Sequence, residues 1–325
     1  MPAQMLWAIT SYFNPSGYKS RPANYRTFRK HLQAPLAAVE LSFNGRFELG
    51  PDDADLLIQI EGRDVLWQKE RLLNVSLRHL PPACDTVAWV DCDLIFAADD
   101  WAERARAALS EFSLVHLFSE VWMLTQGARP DSSGWSPVKR VIPGVGRGIA
   151  RGELKADDMR VSDRSTGWRP PQGFAWAARR ALLERHGLYD ARVGGGGDRA
   201  ILCGALGQFD YCVNSHSMNG RSVEHYRAWG DRFYGDVRGK IGYVDGRIFH
   251  LWHGTIDSRQ YLERHRALAK YGFDPFADIA IDRNGCWRWN SDKPGLHDYM
   301  RSYFAARNED GVPTPQDRSG NGLVS

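Results

Sequence analysis

Short apolar runs alternate with helix-length amphipathic segments over the first hundred residues, and that alternation constrains the fold more than any other feature. Leu6-Trp7-Ala8-Ile9-Thr10 is an apolar run that ends in turn-forming Asn14-Pro15-Ser16-Gly17, as a buried parallel strand would. Tyr25 to Leu32 reads as a short helix with a basic outer face. Ala37 to Phe43 is a second strand, closed by Asn44-Gly45, and Leu56 to Ile60 a third. Asp64 is placed to cap a helix running to Leu80, with Leu66, Leu73, Leu77 and Leu80 as its apolar stripe and Pro81-Pro82 as its stop. Thr86 to Val90 is a further strand that runs directly into Asp91-Cys92-Asp93. Strands alternating with helices imply an α/β fold with a mostly parallel sheet covered on both faces.

The second half is less regular. Phe112 to Leu124 is apolar enough for one more strand and its continuation, and Ala177 to His186 reads as a helix. Gly194 to Gly197 are four consecutive glycines leading through Asp198 into a helix, Arg199 to Leu206. Residues 129–169 are rich in Gly, Pro, Ser and Arg and show little periodicity, which predicts a long basic loop with nine basic residues against five acidic. The chain after about Ala306 reads as a flexible tail.

Composition excludes several classes. A hydrophobic fraction of 43% and a charged fraction of 25% exclude a disordered or fibrous protein. A net charge of +3 on 325 residues does not by itself demand nucleic acid or an anionic membrane. Twelve Trp are more than a plain core needs, and sugars or bases stack on such rings, although packing uses them equally. The N-terminus lacks a basic start followed by an apolar stretch of signal-peptide length. No window approaches the roughly 18 apolar residues of a membrane span. Five scattered cysteines without a CxxC pair complete the expectation of a reduced, cytoplasmic chain.

Three places can carry chemistry. Asp91 and Asp93 stand at the carboxyl end of an apolar strand, where open α/β sheets bind ligands, and two carboxylates at i and i+2 can hold a divalent cation. Asp-x-Asp is also frequent by chance. His250 and His253, three apart, can meet one metal, and imidazole with carboxylate suits Mn²⁺ or a similar ion; equally they can be structural. Asp198 after the glycines is either a helix cap or a general base on a loop that no Cβ may crowd. The basic segment bearing Trp135, Lys139, Arg140, Arg147, Arg151, Arg164, Trp168 and Arg169 is either a solvated loop or a closure over an anionic ligand or phosphodiester.

Taken together these stretches resemble glycosyltransferases of the GT-A fold in the broad family-2 class, closest to the catalytic domains of β1,4-galactosyltransferases and bacterial chondroitin-type polymerases. Trp67-Gln68-Lys69-Glu70-Arg71-Leu72-Leu73-Asn74 is similar to the family's aromatic-x-basic-x-x-Leu-Leu-Asn helix, and Val87 through Ile95 to its strand and Asp-x-Asp-Leu-Ile. Gly173-Phe174-Ala175-Trp176-Ala177 through Leu188-Tyr189-Asp190 to Gly195-Gly196-Gly197-Asp198 is similar to the acceptor-side helix and its Gly-Gly-Glu-Asp loop. His250-Leu251-Trp252-His253 falls where the family places its last metal ligands.

The resemblance implies a catalytic domain over residues 1–305, with a nucleotide-binding half (1–100) and an acceptor-binding half (101–305), before the tail 306–325. It implies Asp93, His253 and His250 as ligands of Mn²⁺ (or Mg²⁺), with Asp91 beside the ribose and diphosphate or also on the metal. Trp67 and Lys69 would face the nucleotide, while Tyr12, Phe13, Asn14, Arg21 and Glu40 line the base pocket. Gly173 would lie against the donor sugar and Asp198 would be the base. The family's Glu before the base is Gly197 here, and that Glu contacts the acceptor, so acceptor identity does not carry over. The implied reaction is an inverting transfer from a UDP-sugar to a hydroxyl, on a glycan or glycolipid precursor or on a hydroxymethylated base of DNA. A nucleotidyltransferase and an inactive nucleotide-sugar binder are the remaining alternatives; oligomeric state is left open.

Overall fold

The computed structural model describes residues 5–131, 134–154 and 170–311. The expected alternation is present: β1 (Met5–Phe13), α1 (Ser20–Lys30), β2 (Leu36–Ser42), β3 (Leu56–Glu61), α2 (Lys69–His79) and β4 (Cys84–Val90) follow in order. Next come β5 (Leu94–Phe96), α3 (Trp101–Ala108), β6 (Leu114–His116), β7 (Glu120–Asp131), β8 (Gly134–Pro143), α4 (Val145–Ala150), β9 (Ala175–Arg179) and α5 (Arg180–His186). Then α6 (Gly197–Leu206), α7 (Phe209–Ser215), α8 (Gly220–Val237), β10 (Ile241–Tyr243), β11 (Arg247–His250), α9 (Glu263–Lys270), β12 (Ile279–Ile281), β13 (Trp287–Trp289) and α10 (Pro294–Ala305) complete the chain.

Seven strands form the central sheet in the order β10-β6-β9-β4-β1-β2-β3, parallel except where β9 runs against both neighbours. The fold is thus the α/β arrangement expected. Both faces are covered, and the strands show it residue by residue. Ile9, Phe13, Val39, Val87 and Trp89 enter one apolar cluster, while Ala8, Tyr12, Ala38, Ala88 and Val90 enter the cluster on the opposite face. A second sheet, β5-β11-β7-β8, stacks β11 antiparallel to β5. No helix among the described residues is long and apolar enough to cross a membrane.

Four expectations are corrected. Ala177 to Arg179, expected to open a helix, belongs instead to the strand β9: pairing with β4 and β6 overrides the helix propensity of its alanines, and α5 begins only at Arg180. Asp64 does not cap α2; it accepts from Trp289 N, and Gln68 opens the helix while its amide pairs with both backbone groups of Trp287. Within the supposed basic loop, residues 129–131, 134–143 and 145–150 belong to β7, β8 and α4, and Trp135 is buried there rather than displayed. Arg164, Trp168 and Arg169 lie outside the described residues. The tail does not start at 306: Arg307 and Glu309 are buried, and of the supposed tail the segment after Gly311 lies outside the described residues.

Candidate active site

The carboxyl ends of β1, β2 and β4 meet on one edge of the sheet, and strand register delivers the site there. Asp93 directly precedes β5, and β5 pairs with β11 so that His250 lies opposite Leu94. The link is tightened by Leu251 N donating to Asp93 O at 2.9 Å. As a result Asp93 Oδ2 lies 3.0 Å from His253 Nε2, Asp93 Oδ1 3.8 Å from His250 Nε2, and the two Nε2 atoms 3.1 Å from each other. Burial pushes the His250 imidazole down to about 3, and burial with the facing Arg259 lowers His253 too. Both rings are therefore neutral at ordinary pH, the form in which imidazole ligates a metal. Burial opposes ionisation of Asp93, but His253 and His250 outweigh it and hold the carboxyl well below its usual range.

This donor set fits a divalent cation. Asp93 Oδ1 is buried without a hydrogen-bond partner, which leaves a carboxylate lone pair unspent. Octahedral ligand bonds of about 2.1 Å at right angles put neighbouring donor atoms about 3.0 Å apart, close to the spacing of the two ring nitrogens. Two imidazoles with one carboxylate suit Mn²⁺ better than the harder Mg²⁺. Arg259 Nη2 also reaches His253 Nε2 at 3.0 Å, so a cation taking that nitrogen displaces the guanidinium. Asp91, expected as a further ligand, is not in this set.

Asp91 belongs to a second cluster. Lys69 Nζ lies 2.5 Å from Asp91 Oδ1 and 2.9 Å from Asp198 Oδ2, with Asp198 Oδ1 at 3.1 Å. One ammonium thus ties the carboxylate after β4 to the one that opens α6, residues 107 apart in the chain. Burial works against the Lys69 charge, yet Asp198 and Asp91 raise its pKa well above the ordinary lysine value. Burial and the Asp198 charge together, partly offset by Lys69, push the Asp91 carboxyl up to about 7. Lys69 was expected to face a nucleotide; its ammonium is instead engaged between these two acids. Asp198 is not the cap of α6, whose first residue is Gly197, but sits in its first turn.

A corner joins the two clusters. Asp91 N donates to Phe174 O at 2.8 Å, while the Phe174 ring lies 4.9 Å from the His250 ring. A Cβ at Gly173 would stand 2.6 Å from Asp198 Oδ2, so the Asp198 carboxylate occupies the space a side chain would need. Phe174 has φ of 78°, a left-handed conformation costly for an aromatic residue and found where surrounding contacts over-determine it.

The remaining expected residues form a wall beside these groups. Tyr12 and Asn14 both bond Glu48, and Glu40 accepts from the backbone N–H groups of Glu48 and Leu49. Trp67 packs between Phe13, at 5.7 Å edge-on, and Phe304, at 6.1 Å stacked. Arg21 donates to Phe13 O and to both Glu309 oxygens, at 2.6 and 2.9 Å. The segment that was expected to be a tail thereby straps the β1–α1 loop. Asp310 accepts from the N–H groups of Lys19 and Ser20, and a Cβ at Gly311 would meet the Trp252 ring at 2.4 Å. Glu48, Glu70, Phe174, Arg259 and Glu309 were not singled out from the sequence. Glu70 and Phe174 lay inside recognised motifs, at positions to which no role was given; an acid in a loop or on a helix gives no sequence signal of the neighbour it will meet.

No family model matches the chain, and no curated protein matches it in sequence. Among solved structures it is similar to TarS residues 1–349 of S. aureus at 11% identity and a TM-score of 0.38, covering 98% of this chain and 76% of that one. It is also similar to the mannosyltransferase PcManGT of Pyrobaculum calidifontis, solved with GDP-Man and Mn²⁺, at 16% identity and a TM-score of 0.35, covering 97% and 77%. A third, 4-diphosphocytidyl-2C-methyl-D-erythritol synthase of Anaerococcus prevotii, has 10% identity and a TM-score of 0.33, covering 75% and 87%. Backbone likeness of this degree does not define an activity; the side chains do.

Proposed function

We propose that this chain is a metal-dependent, inverting glycosyltransferase of the GT-A type, moving a sugar from a UDP-sugar to a hydroxyl of a glycan or glycolipid precursor. The observation that carries this reading is the adjacency of two differently charged clusters. Neutral imidazoles with a low-pKa carboxylate stand on one side of the Gly173–Phe174 corner, and a lysine-held carboxylate on the other. The first set suits a cation and the second suits proton acceptance.

Asp93, His250 and His253 would hold Mn²⁺ or Mg²⁺, which when bound supplies positive charge toward a departing diphosphate. Asp198 accepts the proton of the acceptor hydroxyl as its oxygen attacks the anomeric carbon. The new C–O bond forms opposite the breaking C–O bond to phosphate, whose electron pair leaves with the nucleotide diphosphate. One base and one displacement invert the anomeric centre. Lys69 keeps both Asp198 oxygens on a fixed ammonium, so the base is oriented before substrate arrives. Gly173 leaves that approach open. Tyr12, Phe13, Asn14, Glu40 and Trp67 are assigned to the nucleotide wall, with Arg21 acting through Glu309. Five free thiols fit a reducing compartment, the cytoplasm in this reading.

Thermal unfolding with a panel of nucleotide sugars, with and without Mn²⁺, tests the reading. A UDP-sugar should raise the midpoint only when Mn²⁺ is present, and His253→Ala should abolish that shift. Stabilisation by a nucleoside triphosphate alone, with pyrophosphate released, would replace it by nucleotidyl transfer. Transfer to hydroxymethylated DNA, lost steeply with added salt, would replace the glycan acceptor.

A further inference from the structure

Gly197 immediately precedes the proposed base, and its own backbone does not call for glycine. Gly195 and Gly196 have φ of 84° and 92°, a region that favours glycine; Gly197 is not among the residues with positive φ. What forbids a side chain at 197 is Glu70. A Cβ there would stand 2.2 Å from both Cδ and Oε1 of Glu70 and 2.6 Å from its Cγ. The carboxyl group delivered by the first turn of α2 therefore fills the volume that a side chain on the base's own turn would take.

Glu70 is only 2% exposed, and a buried carboxyl is an expensive way to fill space that a leucine would fill at no polar cost. Its neighbours are the base cluster: the charges it feels are those of Asp198, Lys69 and Asp91. We propose that Glu70 is a positioning residue for Asp198, its carboxyl group locking the Gly197–Asp198 turn so that both base oxygens stay on Lys69. Burial first, and then the Asp198 charge, push the Glu70 carboxyl up to about 8, so near neutrality it is an acid with a hydrogen to donate. This proposal rests on the transferase reading for its kinetic readout.

The test compares Glu70→Ala, Glu70→Gln, Gly197→Ala and the double variant Glu70→Ala/Gly197→Ala in nucleotide-sugar turnover and thermal unfolding. Glu70→Ala should lower kcat at least tenfold while KM for the donor stays within twofold, and Glu70→Gln should recover most of that loss. Gly197→Ala should lower the unfolding midpoint, and the double variant should regain the midpoint without regaining kcat. Recovery of kcat together with the midpoint would reduce Glu70 to filler and overturn the proposal, as would full kcat in Glu70→Ala. If the wild-type protein turns over no nucleotide sugar, the transferase reading fails by itself. The pairing is then judged on unfolding alone: a midpoint lost in Gly197→Ala and regained in the double supports it, and no regain overturns it.

Discussion

Replacing Glu70 by glutamine should change how stability depends on pH, in a direction the burial of this group dictates. An unfolded chain releases the Glu70 proton near the ordinary value of 4.5, whereas the folded protein keeps it up to about 8. Between those values the unfolded state binds fewer protons than the folded one, so the wild-type protein loses stability as pH rises. The slope for one group is about 1.4 kcal/mol per pH unit, which accumulates to about 4 kcal/mol from pH 5 to pH 8. Glutamine has the same shape and no proton to lose. Glu70→Gln should therefore match the wild type near pH 5 and become progressively the more stable protein toward pH 8. Urea unfolding followed by tryptophan fluorescence at four pH values, in the presence of a chelator, measures the difference directly. A gap that stays constant across the range would refute the reasoning, because Glu70 would then titrate alike in both states.

Three further outcomes follow from the same contacts. Lys69→Met leaves Asp91 and Asp198 facing each other without their ammonium and should cost about 3 kcal/mol in denaturant unfolding, the lower end for a buried pair because both carboxylates keep about a quarter of their exposure. Glu309→Gln strips Arg21 and Arg307 of their shared carboxylate, and should both destabilise by about 3 kcal/mol and speed tryptic cleavage at Arg307, read by mass spectrometry. Gly173→Ala pushes a methyl group to within 2.6 Å of Asp198 Oδ2, and should lower sugar transfer about 100-fold with little change in donor binding.

Much of the sheet was legible because buried parallel strands are largely apolar, as β1, β2 and β4 are, while the edge strand β3 read from its Leu56-Leu57-Ile58 run. The candidate residues Asp93, Asp198, His250 and His253 stand in motifs that the sequence displays, and the carboxyl ends of strands gave them a place. What stayed hidden depended on partners distant in the chain. Ala177-Ala178-Arg179 reads as the start of a helix until β4 and β6 are present to pair with it. Asp91 reads as a metal ligand until Lys69, 22 residues earlier, arrives to take its oxygen. Residues 306–311 read as a tail because their polar composition hides two arginines, Arg21 and Arg307, converging on one glutamate. Gly197 reads as one more flexible glycine, and only the position of Glu70 explains it.

The central claim is that the Asp93–His250–His253 cluster and Asp198 serve one reaction. Release of UDP from a stabilising UDP-sugar, measured with and without Mn²⁺ in the wild type and in Asp198→Asn, tests it most directly. Mn²⁺-dependent release in the wild type should fall at least 100-fold in Asp198→Asn, while that variant still gains thermal stability from donor and Mn²⁺ together. Undiminished release from a folded Asp198→Asn protein would contradict the account.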